Sequence, residues 1–241
     1  EVDALVPERV WQELSRGLLE RKPSRMFEVL AACGALARLA PEIGGSVQAS
    51  VLAMLDTSAL AGLPLPVRFA VLCRTLPNAA AVVQFCHRWR VPHHCHELAT
   101  LLAREHDALP NADRDAATAQ ALLGRCDALR RPERFDALLQ AWQLAADAKA
   151  AARVAAVALR LRRALLAARG VSTASLPREA AAEPLSGPAL GRALHEVRRL
   201  AIAHAEAPSA IATAPTHAAV RAGSRDSSCN SARMSGQRAV G

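Results

Sequence analysis

The sequence predicts an all-α fold, and three observations carry that prediction. Ala, Leu and Arg, all strong helix formers, dominate a chain of 241 residues that is 51% hydrophobic and only 3% aromatic. Apolar residues recur at spacings of three and four, in segments that Pro and Gly punctuate. No segment sustains the period-two alternation of β-branched residues that a half-buried strand needs.

Taken in order, residues 7–22 carry Val10, Leu14, Leu18 and Leu19 at helical spacing. Pro7 suits a first helical turn and Pro23 ends the segment. Residues 24–33 form the next helix through Met26, Phe27, Val29 and Leu30, and Gly34 supplies its end. A short helical turn reaches Leu39, and Pro41 breaks it. After Gly44-Gly45-Ser46, helical patterns run over 47–61 and 65–76, parted by Gly62 and Pro64. Two more cover 78–90 and 93–107, parted by Pro92; Pro110-Asn111 punctuates again. Residues 112–129 and 133–169 read as two helices, the second ending at Gly170, and a last helix covers 188–206. The core is expected from Trp11, Leu14, Leu18, Phe27, Leu30, Leu36, Phe69, Leu72, Phe85, Leu98, Leu101, Leu102, Leu122, Phe135 and Leu138. Beyond Ala207, Ser, Thr, Ala, Gly and Arg replace large apolar residues, so 208–241 is expected to be disordered.

Net charge is +8 and the isoelectric point near 10.1, a balance that suits a polyanionic partner or a generic Arg-rich surface equally. The six Cys form no C-x-x-C pair, and most lie in apolar helical contexts where Cys acts as a small hydrophobe, as expected in a reducing cytoplasm. No signal peptide and no apolar run long enough to cross a membrane is evident. The chain begins Glu1-Val2-Asp3 and reads as though it starts inside a longer protein. Phosphate loops, dinucleotide fingerprints and nucleophile elbows are all missing.

Residues 149–169 hold Lys149, Arg153, Arg160, Arg162, Arg163 and Arg169 and no acid. At about 100° per residue, Lys149, Arg153, Arg160 and Arg163 fall in one stripe roughly 80° wide. Val154, Val157, Leu161 and Leu165 form the adjoining apolar face. Such a ridge is either a solvated cationic face or a track for phosphates. Arg9 and Glu13 lie one turn apart and could form an i,i+4 pair. His87, His93-His94-Cys95-His96 and His106 invite a metal reading. Neighbouring His93 and His94 point about 100° apart on a helix, however, so surface drift explains the stretch better.

Several segments match a known pattern in order. Pro7-Glu8-Arg9-Val10-Trp11-Gln12-Glu13-Leu14 precedes Pro23-Ser24-Arg25-Met26-Phe27-Glu28-Val29-Leu30, then Cys33-Gly34-Ala35-Leu36 and Leu39-Ala40-Pro41-Glu42. Val67-Arg68-Phe69-Ala70, Arg90-Val91-Pro92, Arg104-Glu105-His106, Asp127-Ala128-Leu129-Arg130-Arg131-Pro132-Glu133-Arg134-Phe135 and Leu185-Ser186-Gly187-Pro188-Ala189-Leu190-Gly191 follow. Together these resemble the proteobacterial multifunctional CCA proteins, CCA-adding tRNA nucleotidyltransferases, over roughly residues 1–206.

The resemblance implies the carboxy-terminal helical neck, body and tail of a class II tRNA nucleotidyltransferase with a degenerate HD-like region. It sets neck helices at 1–43, the HD-like region at 44–130, body and tail at 131–207, and the disordered tail at 208–241. It implies tRNA as partner, gripped by Lys149, Arg153, Arg160 and Arg163, and it allows a homodimer but no membrane. Arg9 and Glu13 would brace a nucleotide pocket. ATP and CTP would bind only through a catalytic head, which is expected to lie outside this chain together with its Mg2+. This chain would need no cofactor and carry no catalytic residue of its own. The family's HD phosphohydrolase site, which draws in Mg2+ or Ni2+, needs a His-Asp pair where Cys73-Arg74-Thr75-Leu76-Pro77 stands here. His106 and Asp107 are then vestigial ligands, with Asp147 a further one. The chain is expected to be inactive alone; the alternatives are a metal-dependent HD phosphohydrolase of phosphoesters and an inactive gene fragment.

Overall fold

The computed structural model describes residues 6–43, 47–172, 174 and 187–206, and among these it holds helices and turns but no strand. The tail at 208–241 and the residues just before α11 lie outside the described residues. The helices are α1 (Pro7–Leu19), α2 (Ser24–Ala32), α3 (Ala35–Leu39), α4 (Ala49–Leu60), α5 (Leu65–Leu72) and α6 (Ala79–Arg88). Then come α7 (His93–Glu105), α8 (Ala116–Arg125), α9 (Pro132–Leu144), α10 (Ala151–Gly170) and α11 (Gly187–Glu206). Single 3₁₀ turns cover Pro41–Ile43, Cys73–Thr75 and Leu109–Asn111.

The stops follow local chemistry. Gly34 ends α2 with φ at 71°, and Gly62 ends α4 with φ at 64° and a bond from Leu63 N–H to Ser58 C=O, the wrap-around closure of a left-handed cap. Two other helices close in the same way without glycine: α6 at Arg90 and α8 at Asp127, with φ near 50° at both. Asn78 and Asp115 cap α6 and α8 by accepting from Ala81 N–H and Thr118 N–H.

Helix α5 is the hub. Every residue from Val67 to Leu72 is buried, so it is apolar nearly all round and packs against α1, α4, α7 and α9. Phe69 meets Trp11 of α1 edge-on at 5.2 Å and stacks on Phe85 of α6 at 6.4 Å. The expected core is buried throughout, except that Leu14 and Leu30 are only partly covered. Within this apolar hub sits Arg68. Its guanidinium donates to the carbonyls of Leu18 and Glu20, acceptors that the end of α1 leaves open, and to Leu63 in the turn after α4. Ser24, at the start of α2, donates through N–H and Oγ to Asp56 of α4, which locks the first helices onto the rest.

One expected element divides. The stretch 133–169 is two helices, α9 and α10, broken at 145–150. Asp147 causes the second to restart: its carboxylate accepts from Ala150 N–H at 2.7 Å and its carbonyl from Ala151 N–H. Helix α10 then packs against α8, α9 and α11.

Candidate nucleic-acid interface and the cleft at Arg74

The cationic stripe on α10 is only partly free. Lys149 lies in the turn before α10, exposed, and not on the helix. Arg153 reaches Asp113 at 3.1 Å, and Arg160 pairs with the other oxygen of the same carboxylate. The Asp113 side chain is 2% exposed, so these two arginines neutralise a buried acid from the turn before α8. Arg162 turns aside to Asp136 and Gln143. Of the four ridge residues, Lys149 and Arg163 are exposed without an acid partner among the described residues. The ridge is a mixture of helix clamps and open charge.

Arg9 and Glu13 do not pair with each other. Glu13 bonds Arg16 at 3.1 Å, because both ends are exposed and i,i+3 geometry serves as well as i,i+4. Both Arg9 and Glu13 line a cleft of about 830 Å³ between α1, α2 and α3, floored by Met26, Phe27 and Leu36 and closed by Phe85 of α6 and Trp89 just after it. An apolar floor with a charged rim is the form of a docking or ligand cleft.

His106 and Asp107 follow the end of α7, where His106 Nδ1 lies 3.0 Å from Asp107 Oδ1. They line a smaller cleft, about 230 Å³, with Cys73, Arg74, Asn78 and the α7 residues Ala99, Leu102 and Ala103. Arg74 is half-buried, and desolvation holds its pKa below the ordinary value. Among the described residues, no three His, Cys, Asp or Glu groups converge as a metal set. A guanidinium repels a divalent ion, and Asp147 is committed to starting α10. The residues of this cleft therefore do not fit the metal that an HD site requires.

The histidine stretch resolves into separate roles. His87 and His96 rings meet edge-on at 5.5 Å, His93 contacts Glu97 at 3.3 Å, and Cys95 is buried. Burial lowers the pKa of His96, and His87 and His93 lower it further. Two features escaped sequence reasoning. Glu105, 3% exposed, bridges Arg104 and Arg125. Glu97 gathers Arg131 and Arg134 from the start of α9. The Glu105–Arg125 pair and the Glu97 pairs join residues far apart in sequence, for which spacing along one helix gives no signal.

Residues 1–45, which include α1 to α3, match a family model described as "Probable RNA and SrmB- binding site of polymerase A". A multifunctional CCA protein of Leptothrix cholodnii is 47% identical over 238 residues, covering 84% of this chain and 57% of that protein. One from Polaromonas naphthalenivorans is 39% identical, covering 82% and 55%. The CCA-adding enzyme of Bordetella bronchiseptica is 48% identical over 185 residues, covering 76% and 47%. The chain thus spans about half the length of the curated relatives it matches. No solved structure matches.

Proposed function

We propose, starting from the fact that this chain belongs to the multifunctional CCA protein and CCA-adding enzyme family, that its helices are the tRNA-gripping part of such an enzyme. The observation that carries this reading is the match of α1 to α3 to an RNA-binding family model within a chain of net charge +8. Under it, the helical region corresponds to the carboxy-terminal neck, body and tail. ATP, CTP and Mg2+ belong to a nucleotidyltransferase head beyond these helices, and the work is done in the cytoplasm. Among the described residues no single helix is long and apolar enough to cross a membrane. Arg9 and Glu13 would support the nucleotide pocket from the rim of the large cleft. RNA phosphates would meet the exposed cations, Lys149 and Arg163 first, while Arg153 and Arg160 hold α10 in place. Hydrolysis of phosphoesters at an HD site is the weaker reading, since Arg74 lines the cleft and, among the described residues, no third ligand joins His106 and Asp107.

The test is tRNA binding by the purified chain across a salt series. Phosphate contacts release counterions, so affinity should fall with a log–log slope of roughly −0.7 to −0.9 per phosphate neutralised. Lys149→Glu with Arg163→Glu should weaken binding and flatten the slope. A chain ending at Ala207 controls for Arg221, Arg225, Arg233 and Arg238. If the double reversal changes nothing and the shortened chain binds no tRNA, the helices are not the RNA grip.

A further inference from the structure

This fold treats its two partly or fully buried arginines of the 65–75 region in opposite ways. Arg68 has three carbonyls for its guanidinium. Arg74, six residues on, has no hydrogen bond and no ion pair among the described residues, although burial depresses its pKa. A partly desolvated cation without a counter-charge is costly, and proteins normally match it. Apart from Asp107, the other polar side chains of its cleft are also donors or can be. Asn78 spends its side-chain oxygen on Ala81 N–H, which leaves the amide NH₂ uncommitted. His106 has one ring nitrogen on Asp107 and the other free of protein partners among the described residues. Asp107 is the acid of the cleft, and it is fully exposed and turned to His106.

We propose that this cleft is an anion site for a phosphate group, with the Arg74 guanidinium as principal donor and Asn78 and His106 as supporting donors. A planar guanidinium fork matches two oxygens of a phosphate. Lining residues with donors come from three places, the Cys73–Thr75 turn, the N-cap of α6 and the segment after α7, an arrangement that suits a tetrahedral anion better than a flat carboxylate. The cleft, about 230 Å³, exceeds the roughly 30 Å³ share of one water several-fold and admits a hydrated phosphate. The inference does not depend on tRNA recognition, since the ion alone is the probe.

The full chain is titrated with inorganic phosphate and followed by ¹H–¹⁵N NMR. Saturable shifts are expected at the Arg74 Nε–H and at the amides of Thr75, Asn78 and His106. Acetate should bind at least fivefold more weakly. Arg74→Ala should weaken phosphate binding at least tenfold, Arg74→Lys less, and Arg38→Ala, on the exposed face of α3, not at all. Should Arg74→Ala fail to fold, Arg74→Gln keeps the length without the charge and must show the same loss. An RNA oligonucleotide with a 3′-phosphate, compared with its 3′-hydroxyl twin as a competitor, tells a terminal RNA phosphate from the free ion. Phosphate shifts that persist unchanged in folded Arg74→Gln, or that map away from this cleft, overturn the proposal.

Discussion

The pairing of Asp113 with Arg153 and Arg160 makes a prediction that separates clamp from RNA contact. Removing the cations from a fully buried carboxylate costs about 3–5 kcal/mol. Here Asp113 is 2% exposed but the two arginine side chains are 58% and 42% exposed, so water partly screens their side of the pair. The double reversal Arg153→Glu, Arg160→Glu should therefore cost roughly 2–4 kcal/mol. For a chain of this size that lowers Tm by roughly 5–15 °C. Asp113→Asn acts oppositely on charge. It keeps an acceptor, should cost only about 1–2 kcal/mol, and releases two cations to the surface. It should tighten tRNA binding and steepen the salt slope by up to about 1.8 if both cations then meet phosphates. Thermal melts with a parallel salt series in tRNA read both effects. The reasoning fails if the double reversal melts within about 1 °C of the parent while tRNA affinity collapses, for then the arginines serve RNA and not Asp113.

Three further outcomes are expected. Arg68→Met should destabilise by roughly 3 kcal/mol, because three carbonyls lose a charged donor; a urea midpoint unchanged from the parent would contradict this. His96 has a folded pKa below its unfolded value near 6.5, so the unfolded chain takes up the proton first; stability should fall as pH drops from 7 toward 5. His96→Gln should remove part of that dependence, and an identical pH profile would refute the assignment. Burial pushes the Cys86, Cys95 and Cys126 thiols up to about 12, so alkylation at pH 8 followed by peptide mapping should label exposed Cys33 and spare these three until the chain unfolds.

The all-α class and the order of helices were legible because Pro7, Pro23, Gly34, Gly62 and Pro92 mark real ends. The break between α9 and α10 was not, because Ala145-Ala146-Asp147-Ala148-Lys149-Ala150 has no Pro or Gly and Asp147 reads as a surface acid until its cap is seen. That break also moved Lys149 off the helix, so the stripe drawn from helical angles held one residue too many. Helical periodicity places side chains around an axis and says nothing about what faces them. Asp113, 40 residues from Arg153, was therefore invisible as its partner. That a cation stands at Arg74 was legible; that no acid among the described residues pairs with it needed three dimensions.

The clasp formed by Arg68 has a consequence for how the chain comes off the ribosome. The segment matching the RNA-binding family model ends at residue 45, yet the carbonyls of Leu18 and Glu20 near its first helix wait for a side chain 50 and 48 positions later. During vectorial synthesis α1 leaves the exit tunnel before α5, so Arg68 can close on the end of α1 only after α5 has cleared it, although Asp56 of α4 can already hold Ser24. The opening segment and the hub must therefore mature together, and an insertion between residues 45 and 68 would delay the moment at which the first helix becomes fixed.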